Sequence, residues 1–349
     1  MTATHAFDVL DLVRTGTWLD EQTFPPLAFA VPGIVPEGFG LLVGPPKAGK
    51  SWAALAIGLA VASGGHALGK IPVGPARPVL YLALEDGDRR LQDRCRMLLD
   101  DEPIPALLEY ATRADSGNAI QLVAAWLERN TQRNNEHPLV LIDTLGKVAP
   151  PPTPGESAYA RDYRIGGRIK ALADNHPGST VLVVHHDRKA GGDDFVDAVS
   201  GTHGLAGSAD FVIVLDRKRQ ESAGVLKVTG RDVMEAEYAV SLSDHGRWTL
   251  VGDSLVEAAA QAVTVKATVG VGDSLAEIIR YVSSHPQGTR PRDLADALGI
   301  DPNQARVYLS RAANAGRIDK ASRGLYIPLP VSSVTSVTNN VIPFSERNT

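Results

Sequence analysis

Short apolar runs alternate with longer helical patterns through the first two thirds of the chain. The runs are continuous and bounded by turn-forming residues, which is typical of strands buried on both faces of a parallel sheet. Strands are predicted at residues 39–43, 79–84, 107–111, 138–144, 180–187 and 209–215. Helical patterns lie at residues 52–62, 89–99, 118–134 and 159–175. This alternation predicts an α/β fold with a mostly parallel central sheet.

Other stretches of the same region follow different patterns. Residues 24–33 are too rich in proline for a regular element and predict an extended arm, packed on the core or on a neighbouring subunit, or a mobile leader. Residues 64–78 predict a Gly/Pro connector. Apolar and polar residues alternate at residues 225–229, 236–242 and 247–251, which predicts antiparallel strands at the edge of the sheet.

A second, smaller unit is predicted after residue 273. Helical patterns at residues 275–284, 289–299 and 301–316 precede a hairpin that ends near residue 327. This order is that of a winged helix. Its third helix carries side chains suited to a DNA groove, although winged helices also bind proteins. These side chains are Asn303, Gln304, Arg306, Ser310 and Arg311.

Composition places the chain among ordinary folded proteins, with 44% hydrophobic and 21% charged residues. The net charge of −5 does not indicate a nucleic-acid binder, but an acidic protein can still carry a local basic channel. Cys95 is the only cysteine, so it forms no internal disulfide and is predicted to pack in a helix. Without a signal-peptide pattern or an apolar run of membrane-spanning length, we expect a cytoplasmic protein.

The candidate chemistry centres on residues 44–51. Their sequence, GPPKAGKS, matches the phosphate-loop pattern G-x-x-x-x-G-K-[ST] at every fixed position. A predicted strand precedes it and a helix follows, so backbone N–H groups and the helix N-terminus can surround a phosphate. Lys50 would reach the β- and γ-phosphates of ATP, and Ser51 would bind Mg²⁺. The candidate nucleotide-binding residues are Gly44, Pro45, Pro46, Lys47, Ala48, Gly49, Lys50, Ser51 and Trp52.

Acidic residues end two other predicted strands. Asp143 follows an apolar run, which is the Walker B pattern of a carboxylate that holds Mg²⁺ beside the phosphate loop. Glu85 also follows such a run, and ligands of α/β sheets bind beyond the carboxyl ends of the strands. Glu85 is therefore a candidate general base for the attacking water. Its alternative role is that of a helix N-terminal acid before residues 89–99.

Two histidines, His185 and His186, end the strand predicted at residues 180–187. A pair at this position favours a sensor of the γ-phosphate. A structural role and a zinc site are alternatives, but no cysteine or further histidine lies at ligand spacing. The following residues, 188–208, are rich in Gly, Asp and Ser and predict a functional or mobile loop.

The order of these motifs resembles that of RecA-like ATPases, and among them the RepA-like hexameric helicases of plasmids, phages and integrated elements. The resemblance covers residues 31–251. It implies that Lys50 and Ser51 act on the nucleotide and that Glu85 is the catalytic base. It also implies that Asp143 is the Walker B aspartate and that His186 is the sensor. Residues 188–208 would then face the central channel of the ring.

The resemblance further implies that Lys227 and Arg231 contact the nucleotide of a neighbouring subunit. Many relatives space the two residues more closely, so which of them reaches the phosphate stays open. A local ion pair of Arg231 with Asp232, Glu235 or Glu237 is the alternative.

The sequence thus predicts an arm at 1–38, a RecA-like ATPase domain at 39–252, a helix and linker at 253–272, a winged helix at 273–328 and a disordered tail at 329–349. The expected activity is that of a ring ATPase, a hexamer, which binds ATP and Mg²⁺ and moves on single-stranded DNA. Duplex DNA is a further candidate partner, at the winged helix. The alternatives are an ATPase that loads or remodels other proteins on DNA, and a DNA-binding regulator whose assembly ATP controls.

Overall fold

A nine-stranded sheet forms the centre of the chain in the computed structural model, which describes residues 9–131, 137–151, 153–186 and 203–331. The strands of this sheet and of three two-stranded sheets are, in chain order, β1 (Phe29–Val31), β2 (Val35–Pro36), β3 (Gly38–Gly44), β4 (His66–Ala67), β5 (Ile71–Pro72), β6 (Val79–Ala83), β7 (Leu108–Ala111), β8 (Leu139–Asp143), β9 (Thr180–His186), β10 (Phe211–Asp216), β11 (Ala223–Gly230), β12 (Ala236–Leu242), β13 (Trp248–Leu250), β14 (Asp319–Ser322) and β15 (Leu325–Ile327).

Helices on both faces of the sheet connect its strands, and further helices lie in the C-terminal part of the chain. They are a short 3₁₀ helix (Val9–Leu12), α1 (Gly16–Asp20), α2 (Lys50–Ser63), α3 (Asp88–Leu99), α4 (Ala119–Thr131), α5 (Leu145–Val148), α6 (Ala158–Asp174), α7 (His203–Ser208), α8 (Leu255–Thr268), α9 (Asp273–Ser283), α10 (Pro291–Leu298) and α11 (Pro302–Asn314). None of the helices in the described ranges is long and apolar enough to span a bilayer.

The strand order is β13-β12-β11-β10-β3-β9-β8-β6-β7. Every neighbouring pair from β10 to β7 is parallel, whereas β11, β12 and β13 are antiparallel additions. The predicted α/β fold with a mostly parallel sheet is therefore confirmed. The expected antiparallel strands are also present, but β11 and β12 lie inside the sheet, and of these three only β13 forms its edge.

Neighbouring residues of the parallel strands pack on opposite faces of the sheet. Leu42 and Tyr81 lie in the core that includes α2, whereas Leu41 and Leu80 lie in the core that includes α4 and α6. Every residue of β6 and β8 is buried as a result. Two covered faces explain why these strands are apolar throughout instead of alternating. Cys95 on α3 packs in the same core as α2, as predicted.

Short elements lie in three stretches for which the sequence pattern predicts no regular structure. Residues 24–33 were expected to be irregular, but β1 pairs antiparallel with β2, and Val31 and Val35 are buried in the core. The predicted connector at residues 64–78 contains the antiparallel pair β4 and β5. The predicted loop at residues 188–208 ends in α7, and its earlier part lies outside the described residues.

The C-terminal unit consists of α9, α10 and α11 followed by the hairpin of β14 and β15. It has a core of its own, to which Ile279, Leu294 and Leu309 contribute. Helix α8 joins it to the sheet, with Ala258 and Ala259 buried against the larger core. The Arg317 side chain donates to the carbonyls of Ala267 and Val269 at 2.7 and 3.0 Å, which fixes the end of this connecting helix.

Candidate active site

The carboxyl ends of four parallel strands bring the predicted site residues to one edge of the sheet. Gly44 at the end of β3 pairs with His186 at the end of β9. Asp143 on β8 pairs with Val184 on one side and with Ala83 on the other. Because Glu85 follows Ala83 by two residues, the phosphate loop, the Walker B aspartate and the candidate base share this edge.

Lys50 is folded back onto the phosphate loop. Its ammonium group donates to the carbonyls of Gly44 and Pro45 at 2.8 and 3.0 Å, and the residue is only 3% exposed. A buried ammonium must be paired or hydrogen-bonded, and phosphate oxygens are stronger partners than carbonyls. The side chain is therefore held at the loop, where a phosphate would replace the two carbonyls.

Side chains from distant strands fix the backbone of this loop. Arg217, which follows β10, donates to the carbonyls of Lys47 and Ala48 at 2.8 and 3.0 Å. The indole N–H of Trp248 on β13 donates to the carbonyl of Gly49 at 3.1 Å. These contacts hold the loop in place before α2. The first N–H groups of α2 have no partners within the helix and can bind an anion in the loop.

Glycine is required at two positions of the loop. A Cβ on Gly44 would lie 2.4 Å from the carbonyl oxygen of Leu215 on the neighbouring strand. Gly49 has φ 101°, and a Cβ there would lie 3.0 Å from Nε1 of Trp248. The fixed glycines of the motif therefore follow from close backbone packing as well as from loop conformation.

Asp143 is a buried carboxylate with one engaged oxygen. The hydroxyl of Tyr81 donates to Oδ2 at 2.8 Å, whereas Oδ1 has no hydrogen-bond partner among the described residues. Burial raises the pKa of Asp143, and the hydroxyls of Ser51 and Tyr81 act in the opposite direction. A buried carboxylate oxygen near a serine hydroxyl provides the hard oxygen ligands that Mg²⁺ prefers, so these residues fit the expected cation.

Glu85 is an exposed side chain that contacts the residue after Asp143. The hydroxyl of Thr144 donates to Oε1 of Glu85 at 3.1 Å, and Thr144 itself is 4% exposed. Helix α3 begins at Asp88, and its N-cap residue is Gly87. The first turn of the helix thus contains Asp88 instead of Glu85, which leaves the Glu85 carboxylate at the strand end.

The neighbouring acid, Asp86, is held by ion pairs with arginines of the next helix. Its carboxylate is 5% exposed and forms ion pairs with Arg90 and Arg94 of α3. The guanidinium of Arg94 also lies over the indole ring of Trp52, 5.2 Å from the ring centroid. Gly246 packs so closely on this ring that a Cβ would come within 2.3 Å of it. Trp52, a predicted nucleotide-binding residue, therefore packs against protein groups in this chain.

Part of the predicted site lies beyond the described side chains. The backbone of His186 is at the strand end, but its side chain is outside the described residues, as are Arg188 and Lys189. The sensor role of His186 and the zinc alternative therefore stay predictions.

Arg231 is not brought together with the phosphate loop of the same chain. Gly230 pairs with Phe211 at the start of β10, so Arg231 lies at the opposite edge of the parallel strands from Gly44. The Arg231 guanidinium is 3.6 Å from Asp210. In the alternative interpretation of a local ion pair, the partner in the structure is therefore Asp210 instead of Asp232, Glu235 or Glu237. Lys227 lies four residues earlier, on β11, where it pairs with Val214 beside Val43 of β3. Its ammonium is 3.3 Å from Asp216.

Comparisons with known proteins identify the larger domain. Residues 5–192 match a family model described as an AAA domain, and residues 275–325 match one described as FaeA-like protein. A DnaB-like replicative helicase, solved in a study of its interactions with primase, is 13% identical with a TM-score of 0.47. That match covers 62% of this chain and 57% of the helicase chain. The RadB recombinase is 17% identical with a TM-score of 0.44, over 64% of this chain and 92% of its own.

The chain thus spans little more than half the length of the helicase that it matches. The AAA domain model, by contrast, covers more than half of this chain. The chain therefore belongs to the AAA domain family, and its fold is an α/β fold with a mostly parallel central sheet.

Proposed function

We propose that this chain is an ATP-driven ring motor of the RepA-like hexameric helicase group, which moves on single-stranded DNA and serves a plasmid, phage or integrative element. The observation that carries the catalytic part is the grouping of Lys50, Asp143 and Glu85 at one sheet edge, with an oxygen of Asp143 left without a partner in the described residues. The order of motifs along the chain supports the assignment to this group.

ATP would be bound by the loop and by the N-terminus of α2. Lys50 would exchange its bonds to the two loop carbonyls for bonds to phosphate oxygens, and Ser51 and Asp143 would hold Mg²⁺. The cation, when bound, neutralises charge on the phosphates. Glu85 accepts the proton of the attacking water, and the hydroxyl of Thr144 keeps its carboxylate at the strand end.

The nucleotide would lie between subunits of the ring. Arg231 is 64% exposed and faces away from its own phosphate loop, so it is available to the nucleotide of a neighbouring subunit. Lys227 is the second candidate for this role. His186, at the end of β9, would report the γ-phosphate to residues 188–208, which we assign to the DNA-binding channel.

The C-terminal unit is proposed to be a winged helix that binds duplex DNA. One face of α11 is buried in its own core through Ala305, Leu309 and Ala312. Arg306 and Arg311 are exposed on the same helix. This division of the helix leaves basic side chains available for a DNA groove while the apolar face stabilises the unit.

A forked-duplex unwinding assay with ATP and Mg²⁺ tests the motor. Strand separation that depends on hydrolysis is expected, together with a particle mass near six subunits in the presence of ATP and single-stranded DNA. If the protein hydrolyses ATP and binds DNA but separates no strands, the loading or regulatory alternative replaces the motor. If neutralising Arg188 and Lys189 leaves single-stranded DNA affinity and its salt dependence unchanged, the channel assignment is wrong.

A further inference from the structure

Tyr81 is a fully buried tyrosine whose hydroxyl lies in the candidate site. It is on β6, two residues before the strand ends, and is 0% exposed. Its ring packs in the core between the sheet and α2, which also contains Leu141 and Ala54. A buried hydroxyl needs a hydrogen-bond partner, and the partner here is Oδ2 of Asp143 at 2.8 Å.

This bond fixes the orientation of the Asp143 carboxylate. The strands β6 and β8 are parallel, and Asp143 pairs with Ala83. Tyr81 therefore reaches Asp143 from two residues earlier on the neighbouring strand. Because the tyrosine ring is enclosed by the core, the hydroxyl cannot follow a rotation of the carboxylate. With Oδ2 held, Oδ1 is the oxygen that has no hydrogen-bond partner in the described part of the chain.

We propose that Tyr81 is a positioning residue for the cation site: it holds one oxygen of Asp143 so that the other is presented to Mg²⁺ beside Ser51. The inference rests on the proposed nucleotide site and names a residue that acts through Asp143, not on the phosphates. Residues that form a hydrogen bond with a metal-binding side chain commonly contribute 10- to 100-fold to metal affinity, because they remove alternative orientations of that side chain.

Tyr81→Phe removes the hydroxyl and keeps the ring. Tyr238→Phe is the matched control, since Tyr238 is a 3% exposed tyrosine on β12, five strands away from β8 in the sheet order. Binding of a fluorescent ADP analogue is measured by anisotropy, first in EDTA and then in a Mg²⁺ titration. Circular dichroism and the melting temperature without nucleotide show that each variant is folded.

We expect Tyr81→Phe to need about 10- to 100-fold more Mg²⁺ for half-maximal enhancement of binding, with affinity in EDTA unchanged. Tyr238→Phe should match the wild type in both conditions. In an Asp143→Asn background, removal of the Tyr81 hydroxyl should have no further effect on the Mg²⁺ requirement, because the ligand that it positions is already lost.

The outcomes separate this inference from the proposed function. If nucleotide binding by the wild type does not respond to Mg²⁺, the proposed cation site itself fails. If the wild type responds and Tyr81→Phe has the same Mg²⁺ requirement, Tyr81 does not position the ligand. An equal loss of affinity with and without Mg²⁺ in Tyr81→Phe would show a packing defect and would also overturn the inference.

Discussion

The hydroxyl of Thr144 donates a hydrogen bond to the carboxylate of Glu85 at 3.1 Å across two neighbouring strand ends. Thr144 is the residue directly after Asp143, so one short backbone segment supplies both the candidate metal ligand and the group that holds the candidate base. Movement of this segment would therefore displace the cation and the base together. This contact gives Glu85 a fixed place although its side chain is exposed.

Glu85→Gln should retain nucleotide binding and lose hydrolysis. The amide has nearly the same shape and can still accept the Thr144 hydrogen bond, but it cannot take a proton from water. A general base typically contributes about 10²- to 10⁴-fold, so a fall of that order in kcat is expected with an unchanged nucleotide Kd. Steady-state ATPase rates and equilibrium titration measure the two quantities. Normal hydrolysis by this variant would remove Glu85 from the reaction.

Thr144→Val should lower kcat by a smaller factor. Valine preserves the volume of the buried threonine and removes only the donor to Glu85. One hydrogen bond contributes about 1 kcal/mol, so roughly a fivefold loss is expected. Thr249→Val, on β13, serves as the control. In the Glu85→Gln background the Thr144 substitution should have little further effect, and a full additional loss there would mean that Thr144 acts on something other than Glu85.

Arg217→Ala should weaken nucleotide binding, since it releases the carbonyls of Lys47 and Ala48 in the phosphate loop. Losing two charge-assisted hydrogen bonds allows the loop to take other conformations, and we expect about a tenfold higher nucleotide Kd. Lys218→Ala removes the neighbouring positive charge from a side chain that is 78% exposed and should leave the Kd unchanged. Equal effects of the two variants would indicate general electrostatics instead of loop support.

The parts of this site that sequence could predict are those encoded in contiguous residues. The phosphate loop, Asp143 and Glu85 follow directly from strand, loop and helix patterns. Tyr81, Thr144 and Arg217 contribute through strand register and through contacts between residues up to 170 positions apart, as between Arg217 and Lys47. No local pattern reports such contacts. In the sequence, Tyr81 cannot be distinguished from the other residues of the apolar run that predicts β6.

The differences between the predicted and the observed fold also arise from contacts between residues that are distant in the sequence. The sequence pattern does not predict strand β1, because the prolines around it are local signals against regular structure. Its pairing with β2 and its burial in the core are tertiary contacts. Proximity along the chain favours Asp232, Glu235 or Glu237 as an ion-pair partner of Arg231. The structure supplies Asp210, 21 positions earlier, because β10 and β11 are antiparallel and bring the two ends of this hairpin together.

Arg306→Ala combined with Arg311→Ala should weaken binding of duplex DNA by the full chain and reduce its salt dependence. Each lost phosphate contact lowers the slope of log affinity against log salt by about one. The control removes two positive charges elsewhere, with Lys218→Ala and Lys266→Ala, both on exposed side chains. If the helix variant binds duplex DNA like the control, the C-terminal unit would be assigned to protein contacts.

Arg231 is expected to act on the nucleotide of a neighbouring subunit. An arginine supplied in this way has been worth about 10³- to 10⁵-fold in rate in other phosphoryl-transfer systems, because it neutralises charge that develops on the γ-phosphate. Its ion pair with Asp210 is the competing explanation. That pair is 3.6 Å long on a side chain that is 64% exposed, and such surface pairs contribute little to stability. Arg231→Ala should therefore fold normally and lose ATPase activity.

Mixing subunits distinguishes the two roles of Arg231. Arg231→Ala and Lys50→Ala subunits, each inactive alone, should regain hydrolysis when mixed, since some interfaces then contain an intact loop and an intact arginine. Arg231→Lys should recover little activity, because a guanidinium matches two phosphate oxygens and an ammonium does not. Lys227→Ala, tested in the same way, shows which of the two cations reaches the phosphate. Normal hydrolysis by Arg231→Ala alone would assign that residue to the Asp210 ion pair and leave Lys227 as the candidate.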